Sequence, residues 1–140
     1  MQRSATQAGF TLIEIMVVVF ILGLLVTLVA PRIIGRTDEA RVTKAKADIK
    51  AIEEAANLFK LDNGFYPNSG EGIPALVQPP PRARRPNPDG YLPKVPVDPW
   101  GHEYLYQSDG QREVVVTSLG ADGTEGGEGY NADIDSRALE

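Results

Sequence analysis

The 140-residue chain has no cysteine, which excludes disulfides, thiolate metal sites and cysteine nucleophiles. Histidine occurs once, at His102, and tryptophan once, at Trp100. A single imidazole cannot supply zinc-type ligand spacing, and no glycine-rich phosphate loop precedes a helix. Positive charge is also short: 14 Lys and Arg against 19 Asp and Glu leave a formal −5. A phosphate backbone calls for a basic face, so no nucleic-acid partner is expected. His102 has no nucleophile beside it, and Ser118 and Asp122 have no suitable base, so no enzymatic activity is expected. Proline and glycine are scarce before residue 63 and crowded after it, which points to a helical first part and a loop-rich second. A hydrophobic fraction of 42% with 24% charged residues is a folding composition, enough for one domain plus an extra element.

Charge is almost absent from Phe10 to Ala30, where Glu14 is the only ionisable side chain. About 20 apolar residues rising ~1.5 Å each cross a hydrocarbon core of about 30 Å. Two plain readings compete. A secretory signal peptide needs a small-residue cleavage site, and Leu28-Val29-Ala30 followed by Pro31 is a poor one. A simple membrane anchor treats Glu14 as an interfacial charge that snorkels. The third reading starts from cost: a carboxylate inside a bilayer costs on the order of 2.5–3.5 kcal/mol and usually has a partner. The apolar run holds no basic residue. A cut between Gly9 and Phe10 creates an α-amino group four residues from Glu14. That amine sits badly on its own helix dipole, and a neighbouring chain's carboxylate offsets it in a staggered assembly.

Gly9-Phe10-Thr11-Leu12-Ile13-Glu14 ahead of an apolar helix resembles the class III signal of type IV pilins and pseudopilins. The resemblance implies that prepilin peptidase removes Met1–Gly9 and methylates the new amine of Phe10, and that Glu14 directs assembly.

Beyond the run, Pro31 predicts a kink or local opening. Val42, Ala45, Ile49, Ile52, Ala56 and Phe59 then recur at spacings of three and four, one apolar helix face. A single helix over 10–62 is expected, with 10–30 as transmembrane segment and filament core, followed by a globular region over 63–140. Asn63-Gly64 and Pro67 end the helix. Gly72–Val77 predicts a short helix with proline in its first turn. The loop carrying Arg82, Arg84 and Arg85 is expected at the surface, with an acidic neighbour as the alternative. Trp100, in the turn Val95–Gly101, is expected to plug the core, and His102 to be a surface or turn residue. Tyr104–Gln107 and Val114–Ser118 predict two strands joined through Asp109-Gly110, in an antiparallel sheet of two or three strands.

The last loop, Ser118 to Asp135, gathers carboxylates, an amide and glycines without matching cations. Hard oxygen donors on a flexible backbone suit Ca²⁺, although the spacing is not that of an EF-hand, and a mobile acidic loop is the alternative. Phe59-Lys60-Leu61-Asp62-Asn63, Leu92-Pro93-Lys94-Val95-Pro96-Val97-Asp98-Pro99-Trp100-Gly101 and Ser118-Leu119-Gly120-Ala121-Asp122-Gly123 together are similar to the major pseudopilin family of type II secretion.

That resemblance implies an α+β, type IV pilin-like fold: a long N-terminal helix packed on a small antiparallel sheet, with a C-terminal calcium loop. It implies one Ca²⁺ held by the Leu119 carbonyl, Asp122, a carbonyl at Glu128 or Gly129, and Asp133. Ala132 replaces an aspartate common in the family, and Asn131 is the nearest compensating oxygen. It further implies a homopolymer growing from the bacterial inner membrane into a periplasmic pseudopilus that drives export of folded proteins. Its partners would be minor pseudopilins, prepilin peptidase and an inner-membrane assembly platform. The alternatives are a type IV pilin of a surface fibre, disfavoured by the missing cysteines, and a monomeric membrane-anchored periplasmic binding module.

Overall fold

The computed structural model describes residues 9–139, with the side chains of residues 28–36 outside that description. The expected leader therefore lies, but for Gly9, outside the described residues. The chain divides into two compact units, residues 1–37 and 38–140, and helix α1 (Leu12–Asn63, 52 residues) contributes to both.

In the first unit the backbone is helical through Pro31, so the opening expected there is not a break in the element. A proline removes one intrahelical hydrogen bond, and a helix this long has many others. The large apolar side chains from Phe10 to Val26 are exposed. The expected membrane segment extends to Ala30, into residues whose side chains are outside the description. Among the described residues, no helix is long and apolar enough to cross a membrane.

In the second unit the three-and-four spacing does what its periodicity requires. Ala45, Ile49, Ile52, Ala56 and Phe59 are buried, joined by Ala55, and Val42 is partly buried against the same cluster. Gly64 ends α1 in the left-handed region, φ 84°, and its N–H donates to Lys60 O at 2.7 Å; a Cβ there would be strained. Tyr91 pins this end: its hydroxyl donates to Asp62 Oδ2 at 2.8 Å and accepts from Asn63 Nδ2 at 3.1 Å.

Helix α2 (Pro74–Val77) begins on proline, which needs no N–H partner in a first turn. The sheet has three antiparallel strands in the order β1 (Leu105–Ser108), β2 (Val114–Ser118) and β3 (Ile134–Asp135). Tyr106 faces Val116 across the first pair, and Ser118 faces Ile134 across the second. Tyr104, Tyr106, Val116 and Ile134 meet the helix face in one core. The Tyr104 hydroxyl donates to Asp48 Oδ2 at 2.9 Å. Burial, then that carboxylate, holds its phenol far above the ordinary value, so it remains a neutral donor.

The basic loop does have an acidic neighbour. Arg82 lies over the Phe65 ring at 3.9 Å, and its Nε donates to Glu71 Oε1 at 2.7 Å while a second nitrogen takes Glu71 Oε2. That fork holds the Glu71 carboxyl below its usual range. Trp100 packs against the core only in part, being of intermediate exposure.

Candidate functional site

Two places carry the candidate residues. The first is the start of α1. The Glu14 N–H donates to Thr11 Oγ1 at 3.3 Å, and the Thr11 N–H donates to Glu14 Oε2 at 3.4 Å. This is a reciprocal capping box, in which two orphan donors of the first turn are satisfied by Thr and by the Glu three residues on. The carboxylate has a local donor, and Thr-x-x-Glu at the head of an apolar run was the signal that discloses it. Among the described residues, nothing lies within 4 Å of where a Cβ on Gly9 would stand.

The second place is the loop between β2 and β3. Its two limbs touch through backbone. Gly120, at φ 67°, lies so close to the returning limb that a Cβ would stand 2.7 Å from Asn131 O and 2.9 Å from Ala132 O. Only glycine permits that approach. The limbs are also tied by Ala121 N–H donating to Tyr130 O at 2.9 Å. Asp122 and Asp133 are exposed; Asp133 Oδ2 accepts from Gly126 N–H at 3.0 Å, and Asp122 Oδ1 accepts from Thr124 N–H at 3.1 Å. Glu128 and Gly129 contribute carbonyls to a 3-10 turn over Gly129–Asn131, accepting from Asn131 and Ala132 at 3.2 and 3.4 Å. Thus Leu119 and Asp122 lie on one limb, Asn131 and Asp133 on the other, and Glu128 and Gly129 just before the second. Glu128 is exposed. Among the described residues no group of three or more His, Cys, Asp or Glu is gathered as a metal cluster.

Beneath the loop is a hub that sequence reasoning did not find. Asp98 is 3% exposed. Its Oδ1 accepts from the Trp100 and His102 N–H groups at 3.0 and 2.8 Å, and its Oδ2 accepts from Ser118 Oγ at 2.9 Å. Ser118 Oγ in turn accepts from Gly120 N–H at 3.3 Å. A buried carboxylate is tolerated when its lone pairs are filled, and here the donors come from its own turn and from the base of the loop. The local half was legible, because Asp ahead of Pro-x-Gly is turn chemistry. The contact to Ser118 crosses 20 residues, which no local pattern reveals.

Comparison with known proteins places this architecture. Residues 32–137 match the type II secretion system protein G family, and residues 4–30 match the prokaryotic N-terminal methylation motif. The chain belongs to the type II secretion system protein G family. The core protein G of Pseudomonas aeruginosa is 54% identical over 138 residues, covering 96% of each chain. That of Vibrio cholerae is 47% identical over 137 residues, covering 96% of this chain and 94% of the relative. A crystal structure of the major pseudopilin from the type 2 secretion system of enterohaemorrhagic Escherichia coli aligns with TM-score 0.64 at 34% identity, over 76% of this chain and 94% of that one. This chain is a major pseudopilin-type structural subunit of type II secretion, with the α+β fold of a long amino-terminal helix and a small antiparallel sheet. These matches favour that reading over a surface-fibre pilin or a monomeric binding module.

Proposed function

We propose that this subunit is cut after Gly9, methylated on Phe10, anchored in the inner membrane by its apolar helix, and polymerised into a periplasmic pseudopilus that drives export of folded proteins. The observation that carries the reading is the apolar stretch from Phe10 to Val26, helical from Leu12. Its apolar side chains are exposed all along, and Glu14 is its only carboxylate. Such a surface needs lipid around the single chain or sister helices around the assembled one. A free Phe10 amine on one subunit and Glu14 on the next form a charge pair worth most where water is excluded. Prepilin peptidase, minor pseudopilins and an inner-membrane assembly platform are the partners this scheme requires. The subunit acts by assembling rather than by catalysis.

Mass spectrometry of the mature amino terminus tests the scheme. Phe10 is expected to begin the mature chain and to carry one methyl group, and Gly9→Leu to leave the leader attached. A normally trimmed Gly9→Leu product would remove the peptidase step from the account.

The β2–β3 loop is proposed to hold one Ca²⁺. The donor chemistry fits: two carboxylates on facing limbs, with the Asn131 and Ala132 carbonyls turned to the opposite limb at Gly120. With few carboxylates gathered, main-chain carbonyls at Leu119 and at Glu128 or Gly129, with the Asn131 amide, complete an all-oxygen shell of the kind Ca²⁺ takes. The bound ion would offset the loop's negative charge and tie its limbs. Because such an ion binds the folded loop, at 100 times its Kd it adds about 2.7 kcal/mol of stability. The Asp122→Ala, Asp133→Ala double variant is expected to melt earlier than the parent in millimolar calcium and alongside it in chelator. Equal melting of the parent chain in the two buffers would remove the metal.

A further inference from the structure

One side chain links the Asp98 hub to the middle of the loop. His102 Nδ1 lies 3.6 Å from Asp98 Oδ2, is buried, and has no hydrogen-bond partner among the described residues. The opposite edge of the ring meets Gly123. A Cβ built on Gly123 would stand 2.8, 3.0 and 3.1 Å from Nε2, Cε1 and Cδ2 of His102. Gly123 has φ +66° and directly follows Asp122. The imidazole therefore fills the space between a fixed carboxylate and the backbone beside a loop carboxylate. Asp98 already grips the base of the loop through Ser118 and Gly120; His102 carries that grip one turn further out.

We propose that His102 is a positioning residue for the cation loop: wedged between Asp98 and Gly123, it sets the height of the Ala121–Thr124 limb and so where Asp122 is presented. The functional meaning rests on the calcium reading above, whereas the wedge itself belongs to the protein without metal. The side that anchors is rigid. Asp98 sits in a turn closed by its own N–H to His102 O at 2.8 Å, which fixes the backbone from which the ring projects. The side that is held is a glycine-rich limb with little burial of its own. Residues in this supporting layer typically change metal affinity by about 10–100-fold.

Hydrogen exchange of loop amides tests the proposal, using the full chain in detergent micelles with His102→Ala, Gly123→Ala and the double variant. In chelator, His102→Ala is expected to speed exchange of the 120–126 segment by about ten-fold, a local opening, while the Val115 and Val116 amides keep their parental rates. Gly123→Ala forces a Cβ onto the ring and is expected to open the same segment. The ring is what that Cβ strikes, so the double variant is expected to exchange no faster than Gly123→Ala alone. Parental rates in His102→Ala, or additive effects in the double variant, would overturn the wedge. If His102→Ala fails to fold, His102→Asn, whose shorter side chain falls short of Gly123, is expected to open the same segment, and parental 120–126 rates in that variant would overturn the wedge. A parallel titration with CaCl2 is expected to show weakening of about ten-fold in His102→Ala. Loop protection in the parent that is indifferent to CaCl2 would sink the calcium reading, while the chelator comparison still decides the role of His102.

Discussion

Glu14→Gln is expected to give a chain that enters the membrane and loses its leader normally but scarcely enters filaments. The glutamine amide can still accept from Thr11 N–H, the bond that Glu14 Oε2 takes at 3.4 Å, so the helix start survives. What disappears is the charge opposite a neighbour's amine. A subunit contact worth about 2 kcal/mol changes each addition step about 30-fold, and a polymer compounds that at every step. Glu14→Ala also removes the bond to Thr11 N–H, one half of the capping box, while its own N–H keeps the bond to Thr11 Oγ1, and is expected to be no better. Fibre yield in sheared or membrane-extracted fractions, with amine-to-carboxyl crosslinking, separates the two roles of the carboxylate. Parental filaments from Glu14→Gln together with none from Glu14→Ala would mean that Glu14 serves the capping box and that the intersubunit pair is absent.

The second large effect is expected at Phe59, which is fully buried. Its ring meets Phe65 edge-on at 5.4 Å and Tyr91 at 5.3 Å. Phe59→Ala removes the largest buried side chain of the helix face and leaves two aromatic rings facing a void. Such truncations cost about 3–5 kcal/mol, against a total near 5–15 kcal/mol for a typical domain. For a unit of this size the melting temperature is expected to fall by about 15–30 °C, with the loss equal in calcium and chelator because the void is remote from the loop in sequence and chemistry. Differential scanning calorimetry reads both. A fall under about 5 °C would show that the cluster repacks around the missing ring.

The helix face was legible because burial follows from period: Ala45, Ile49, Ile52, Ala56 and Phe59 could not all be apolar at those spacings by accident on an exposed surface. Strands β1 and β2 were legible from their run of Tyr, Val and Thr. β3 was not, since Ile134–Asp135 is only two residues long and exists because β2 offers it an edge. His102 was expected at the surface or in a turn. It lies in a turn, yet its ring is half covered because Gly123 arrives from 21 residues away. Thr11–Glu14 is different: the two residues stand at capping-box spacing, so the donor to the carboxylate lies three residues away in the chain. Short-range chemistry reads from sequence when its spacing is checked, whereas contacts made by chain return need the fold.

The candidate loop departs from β2 and comes back as that strand's immediate neighbour, β3. Its two stems are thus held about 4.8 Å apart by main-chain pairing, whatever lies between them. Since closing a longer excursion costs only logarithmically more, residues inserted near its tip should trouble the scaffold little. The arch can therefore be lengthened, trimmed or recharged while the platform underneath keeps its fold.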